Sequence, residues 1–186
     1  MTLIDLGGIA AEPVILAEVK AWCRIERDDE DALLARLITA ARETVERETR
    51  LVLVRRSFRL LLDPVPGDGW IEISRHPLQQ VTSVVAYDGA GVPTEFGAGE
   101  AVIERALGIE AIRVSRAVVT ASVNGVEIEF EAGFAPGAVP ENLMLAIKRI
   151  VATAYELRGA VSIGMQPGIV PEAARALIAP FRPVRL

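Results

Sequence analysis

Apolar residues at the N-terminal end of the chain recur with a helical period. Leu16, Val19 and Cys23 follow Pro13 at helical spacing and predict a first helix. A second, longer stripe predicts a helix of about four turns, and it consists of Leu33, Leu34, Leu37, Ile38, Ala41 and Val45.

Charged residues on the second predicted helix indicate how it begins and which face is polar. The acidic run Asp28–Asp31 stands where the helix should start, so we expect it to cap the helix and favour the positive end of its dipole. Arg42/Glu46 and Glu43/Arg47 are i,i+4 pairs of opposite charge. These pairs predict a solvent-exposed helix face or one that meets other charged surfaces.

The period changes to two between about Leu51 and Val139. Val126, Ile128 and Phe130 alternate with glutamates, and β-branched runs at 80–87 and 110–115 follow the same rule. Turn signals such as Asn124-Gly125 separate the runs. We therefore predict six or seven short strands, joined mostly by hairpins, in an antiparallel sheet or small barrel.

A helical period returns after Pro140, which suits the first position of a helix. The apolar stripe runs from Leu143 to Tyr155, and the helix is expected to end near Gly159. A stretch containing Gly and Pro follows, and then a short helix at 171–179 that Pro180 closes. The tail is too apolar for a solvated end, so it either orders on a partner or packs back on its own subunit.

Composition removes several function classes. The formal charge is −5 and the pI about 5.1, which argues against a surface that grips nucleic acid everywhere. One histidine, His76, and one cysteine, Cys23, exclude an intramolecular disulfide and Cys/His zinc sets. We interpret Cys23 as a small core residue and His76, which precedes Pro77, as a turn residue. No secretory leader or membrane span is apparent, so we expect a cytoplasmic protein.

Charge is distributed unevenly along the chain. Residues 1–50 and 51–140 each hold 7 basic and 11 acidic groups, whereas residues 141–186 hold 6 basic and 3 acidic groups. The C-terminal end alone is therefore basic.

The only candidate catalytic cluster consists of Glu127, Glu129 and Glu131, which share one face of a strand. Such carboxylates suit an acid/base pair, and with an arginine they would serve a small hydrolase or lyase. The same pattern is also typical of a solvated strand face. A third alternative is a generic β-domain binding module with helical dimerisation arms.

Two helical segments resemble a known family. The first runs from Leu16-Ala-Glu-Val-Lys through the acidic turn to Ala40-Ala-Arg-Glu and Thr49-Arg50, and the second from Leu143 to Arg158. Together they resemble the phage head–tail connector (adaptor) family, with its Lys-containing first helix, an Arg before an acidic turn, and a long second helix. The segment between them resembles the β-rich insert of longer members in siphophages and gene transfer agents.

The resemblance implies an α+β protein with an antiparallel helical bundle core (1–50 and 140–158), a β-rich insert (51–139) and an extended C-terminal arm (159–186). It implies a structural adaptor, without enzymatic activity, metal or cofactor, that forms a ring of twelve copies under the portal and joins it to a stopper or tail protein. DNA would pass through the channel without sequence-specific binding.

The same resemblance implies that the arm reaches the portal. The resemblance also implies that the protein assembles in the cytoplasm and becomes part of the neck of a virion or gene transfer agent particle. The portal-binding residues expected from this are Arg158, Ile163, Met165, Ile169, Val170, Arg175, Leu177, Ile178, Phe181, Arg182, Val184, Arg185 and Leu186.

Overall fold

The computed structural model describes residues 1–106, 109–157 and 170–183, and it has an α+β architecture. In chain order the elements are β1 (Thr2–Asp5), α1 (Leu16–Cys23), α2 (Asp31–Thr49), β2 (Arg56–Leu62), β3 (Trp70–Glu72), β4 (Leu78–Tyr87), β5 (Pro93–Phe96), β6 (Ala101–Ala106), β7 (Ile109–Val114), α3 (Arg116–Ala121), β8 (Val126–Ala132), α4 (Glu141–Leu157) and α5 (Glu172–Ile178). Short 3-10 turns lie at Ala98–Glu100 and Ala179–Phe181.

The chain divides into two compact units. The β unit comprises Met1–Ile9 and Arg55–Gly133, and the helical unit comprises Ala10–Val54 and Phe134–Leu186. The expected helical core took in all of residues 1–50, but β1 belongs to the β unit because its backbone pairs with β2. The boundaries expected at 51 and 139 likewise lie at 55 and 133.

The helical unit is held together by one apolar core. Val19 of α1, Leu34 and Ile38 of α2, and Leu143 and Ile147 of α4 are all buried in it. They are the positions that the helical period selected, and each fully buried aliphatic side chain contributes about 1.5–3 kcal/mol. Cys23 packs against this core, as expected of a small apolar residue, and burial raises the pKa of its thiol.

The acidic run before α2 supplies the N-cap residue of that helix and also pairs with α1. Glu30 is the N-cap residue of α2, and its side chain makes no capping hydrogen bond. Lys20, near the end of α1, instead donates to Asp28 and, at 2.7 Å, to Asp31. The run thus supplies the N-cap residue, Glu30, and a first-turn carboxylate, Asp31, as expected, but no side chain makes a capping hydrogen bond.

The Arg42/Glu46 pair is buried, so of the two predicted alternatives the structure favours a face that meets other charged groups over a solvent-exposed one. Arg42 is 2% exposed and Glu46 is 5% exposed. The Arg42 guanidinium donates to Glu12 (2.8 Å) and to Glu46 (3.0 Å), and Glu46 also accepts from the amide of Leu53 (2.8 Å). The pair is covered because the segments that enter and leave the helical pair, at Glu12 and Leu53, fold onto this face of α2.

The β unit contains two antiparallel sheets. One has the order β1-β2-β8-β4-β5 and the other the order β3-β7-β6. The core face of the larger sheet includes Phe58 and Phe130, whose rings stack with their centroids 5.7 Å apart, and the paired Leu60 and Ile128. The predicted antiparallel sheet is confirmed, with eight strands among the described residues.

The short helix α3 was not predicted. It spans only six residues, too few for a hydrophobic period to show. Its start nevertheless carries an ordinary signal, because the Ser115 side chain accepts from the amide of Val118 at 3.4 Å.

Replacing Arg42 with methionine tests the buried ion pair. Arg42→Met leaves the buried carboxylate of Glu46 and the half-buried carboxylate of Glu12 without their cation, so we expect a loss of about 3–5 kcal/mol in the free energy of unfolding. Chemical denaturation of the two proteins measures the difference. Arg47→Met, on the exposed side of the same helix, is the matched control and should change stability by at most about 0.5 kcal/mol. Equal effects of the two substitutions would contradict this role.

Candidate functional site

The expected portal-binding residues are only partly described by the structure. Arg158, Ile163, Met165, Ile169, Val184, Arg185 and Leu186 lie outside the described residues. The described members are Val170, Arg175, Leu177, Ile178, Phe181 and Arg182.

The described part of the C-terminal segment packs on its own helical unit. Val170 and Ile178 are buried in the core, together with Ala174, and Leu177 and Phe181 pack against it. Ala174 and Ile178 are four residues apart, so one face of α5 provides this apolar contact. The short helix expected at 171–179 is present as Glu172–Ile178, and residues 170–181 pack on their own subunit, which was one of the two alternatives for the tail. The portal-binding role of these residues stays a prediction.

The basic side chains of this segment remain at the surface. Arg175 is exposed; it lies 3.5 Å from Glu172 and donates to the carbonyl of Val170. Arg182 is paired with Glu48 of α2. Arg175 is thus the described tail residue whose charge is most available to a partner.

The glutamates of β8 form a ladder of ion pairs. Arg59 of β2 contacts Glu129 at 2.6 Å and Glu127 at 3.1 Å, and Arg55 contacts Glu131 at 2.5 Å. Tyr87 of β4 donates to Glu127 at 3.4 Å. These contacts follow directly from the register, which places Arg59 opposite Glu129.

This ladder does not have the features of an acid/base pair. Each of the three carboxylates has an arginine partner, and the pKa of Arg59 is raised, chiefly by its hydrogen bond to Glu129. The structure therefore favours the alternative of a solvated strand face, in which cross-strand pairs of opposite charge stabilise the sheet. Nothing supports the alternative of a hydrolase or lyase.

A second polar cluster surrounds Glu110 at the start of β7. Its carboxylate accepts from the amide of Leu78 (2.6 Å) and from Arg105 (2.9 Å), and it lies 3.3 Å from His76 Nδ1. Arg105 also donates to the carbonyl of Leu78 at 2.6 Å. Glu110 thereby connects the small sheet to the turn before β4, and His76 lies in that turn, before the cis bond to Pro77, as expected.

The pKa of Glu110 is below its ordinary value. Burial alone would raise it, but the hydrogen bonds from Leu78, Arg105 and His76 outweigh burial because they favour the charged form. Glu110 is therefore a structural carboxylate that is held ionised.

Metal and membrane sites find no support in the described residues. Within 1–106, 109–157 and 170–183, no group of three or more His, Cys, Asp or Glu residues is arranged to hold a metal ion. In the same ranges no helix combines the length and the apolar character that crossing a membrane requires.

The N-terminal strand was missed by the sequence reasoning. Met1, Ile4, Leu6 and Ile9 are all among the exposed large hydrophobic residues, with Ile4 41% and Leu6 44% exposed. The only sequence signal was this concentration of apolar side chains before Gly7-Gly8, too short for a period.

Comparison with known proteins agrees with this architecture. Residues 14–89 match the family model of the phage gp6-like head-tail connector protein. No curated protein matches the chain. Over residues 14–89 the chain is thus similar to the phage gp6-like head-tail connector family, in line with the resemblance of its helical segments.

Solved structures match over the full length of the chain. A chain from the neck of an empty gene transfer agent (GTA) particle, computed with C6 symmetry, is 28% identical with a TM-score of 0.78. Chains from the neck of a native GTA particle computed with C12 symmetry (TM-score 0.78) and from a native GTA virion (0.79) are also 28% identical. Each match covers 100% of this chain and 97% of the other. The likeness thus also includes the rest of the β unit and α4, which lie outside the family match.

The Glu110 cluster predicts an acid-sensitive β unit. A carboxylate with a lowered pKa stabilises the fold fully above its ordinary value of 4.5, and this stabilisation is lost as the pH falls through the lowered pKa. Glu110→Gln should therefore cost about 1–3 kcal/mol near pH 7 and progressively less below about pH 4.

Unfolding curves of both proteins between pH 3 and pH 7 measure this difference. Glu72→Gln, at an exposed position of β3, is the control and should show no such pH dependence. A difference between Glu110→Gln and the parent that is constant with pH would contradict the assignment.

Proposed function

We propose that the chain is a structural adaptor in the neck of a phage-like particle, where a ring of twelve copies joins the portal to a stopper or tail protein. The observation that carries this proposal is the full-length likeness to a chain in a neck with C12 symmetry. The family match over residues 14–89 supports the same role independently.

The physical character of the chain suits a ring subunit. The cluster of Arg42, Glu46 and Glu12 fixes the segment before α1 and the segment after α2. A ring needs subunits of fixed shape. The carboxylates that would mark an enzyme are engaged in the ladder with Arg55 and Arg59. The polar clusters thus serve the fold, which is what an assembly protein requires.

The net charge is compatible with an axial DNA channel. A wall that lets DNA pass offers few cations to phosphate, because each Lys or Arg contact adds to salt-dependent affinity. The chain carries −5 overall, and its basic excess is confined to residues 141–186. DNA passage without sequence-specific binding is consistent with this balance.

The portal side of the adaptor is assigned to the C-terminal segment. Within it, Val170, Ala174 and Ile178 are buried in the helical core and hold α5 against it. For contact with the portal the proposal relies chiefly on the exposed Arg175 and on the apolar residues of 159–169 and 184–186, among them Ile163 and Met165. The basic excess of this end suits an acidic surface on the portal.

Native mass measurement tests the ring. The chain alone, the portal protein of the same particle alone, and their mixture are measured at equal concentrations. We expect about twelve copies of the chain on each portal ring, because a portal can template subunits that are monomeric alone. A dimer that persists with and without portal would contradict the proposal and favour the binding-module alternative.

Substitutions in the tail test the portal contact. Ile163→Asp with Met165→Asp places charge in the proposed apolar contact, so we expect at least about a tenfold loss of portal affinity without change in melting temperature. Ile178→Asp is the contrast, since it should unfold the helical unit. Full portal binding by the Ile163/Met165 variant would overturn the tail assignment.

A further inference from the structure

The larger sheet of the β unit has two open edges that run in the same direction. Its order is β1-β2-β8-β4-β5, and every neighbouring pair is antiparallel. Direction alternates across five strands, so the first and last strands, β1 and β5, are parallel to each other. They stand at opposite sides of the sheet, about 19 Å apart at the usual strand spacing.

The backbone groups that face outward on β1 follow from the ladder. Leu6 donates to the carbonyl of Ser57 at 3.0 Å, and in an antiparallel pair the hydrogen-bonded positions alternate. Thr2 and Ile4 therefore bond to β2, whereas the N–H and C=O groups of Leu3 and Asp5 point away from the sheet.

The same reasoning applies to β5. Asp88 donates to the carbonyl of Val92 at 3.1 Å, so Thr94 and Phe96 bond to β4. Glu95 therefore presents its N–H and C=O groups outward, and Pro93 presents only a carbonyl because proline has no N–H.

The side chains on β1 also indicate a contact. Ile4 and Leu6 are exposed, and Met1 is 67% exposed at the same edge. An edge strand with unpaired backbone groups and exposed apolar side chains is a ready template for another strand. The Asp5 carboxylate is paired with Arg56 at 2.8 Å, so it does not repel an incoming strand that carries Glu95.

We infer that β5 of one copy pairs in parallel with β1 of the next copy, so that the larger sheets form one continuous sheet around the ring. This inference rests on the proposed function. A ring needs two different surfaces on each subunit, and the two edges provide them. A twelve-fold rotation changes any direction by at most about 30° between neighbouring copies. Because β1 and β5 run in the same direction within one copy, β5 of one copy and β1 of the next are therefore close to parallel.

The outward groups define the register. In a parallel pair, the N–H and C=O groups of one residue bond to the residues before and after the residue that lies opposite on the neighbouring strand. Glu95 N–H donates to the Leu3 carbonyl, and Asp5 N–H donates to the Glu95 carbonyl, which places Glu95 beside Ile4. The side chains of Ile4 and Glu95 both lie on the face of the sheet that carries the β8 glutamates. Ile4 is opposite Arg59, which is opposite Glu129. Glu95 is opposite Val85, which is opposite Glu127.

Disulfide cross-linking tests this register. The pair Ile4→Cys and Glu95→Cys is introduced into a Cys23→Ser background and oxidised on the assembled portal complex. Adjacent strands place the two Cα atoms about 4.8 Å apart, within the range for a disulfide. We expect a ladder of covalent oligomers that ends in closed rings.

The matched control moves one cysteine by one residue. Thr94→Cys with Ile4→Cys is equally exposed, but residue 94 faces the other side of the sheet, so no ladder beyond dimers is expected. Two outcomes would overturn the inference and leave the proposed function standing. In one, the wild-type chain forms rings of normal mass but the 4/95 cysteine pair gives no ladder; in the other, both cysteine pairs give equal ladders. Failure of the wild-type chain to form rings on portal would overturn both.

A backbone variant gives a second measurement. Glu95→Pro removes the outward donor of β5, whereas Glu95→Ala removes the side chain and keeps the donor. We expect Glu95→Pro to lower the number of chains retained per portal at least threefold at limiting concentration, with an unchanged melting temperature, and Glu95→Ala to behave like the parent. Equal retention of all three proteins would contradict the strand pairing.

Discussion

The buried ion pair of Arg42 and Glu46 is the constraint on which the helical unit depends. A charge with almost no exposed surface is tolerated only when its hydrogen bonds are satisfied, and here the partners are Glu12 before α1 and the amide of Leu53 after α2. One cation and one carboxylate therefore fix where the chain enters the helical pair and where it leaves. The same two residues looked like an ordinary surface pair in the sequence, because an i,i+4 spacing is identical for exposed and buried pairs.

Most of the secondary structure could be predicted because it depends on local patterns. The stripes of α2 and α4 and the alternation of β8 occur as expected, since burial of one face imposes a period on the sequence. The errors arose where distant residues decide the outcome. Lys20 pairs with Asp28 and Asp31, a contact that local patterns do not show, and Thr2–Asp5 becomes a strand only because β2 is available as a partner.

The candidate site shows the same division. The glutamates of β8 were found from alternation alone, but whether they formed an acid/base pair or a ladder depended on the residues opposite them. Those residues, Arg55 and Arg59, are more than 65 positions away in the chain, and only the register of β2 with β8 brings them together. The apolar tail posed a similar question. Its apolar character predicted burial on a partner or on its own subunit, and Ile178 lies in the core of the same chain.

An assembly subunit needs rigid parts that fold alone and surfaces that remain incomplete until neighbours arrive. In the helical unit the buried charges of Arg42 and Glu46 are satisfied by an internal pair, and Ala174 and Ile178 of α5 are part of its apolar core. The β unit is different, because an open sheet always leaves two edges whose backbone groups have no partner in the sheet. Closing the sheet into a barrel would remove those edges. In the open sheet the two outer strands run parallel, so a copy related by rotation can continue the sheet. The open edges are therefore the feature of this fold that an isolated chain cannot satisfy and a ring can.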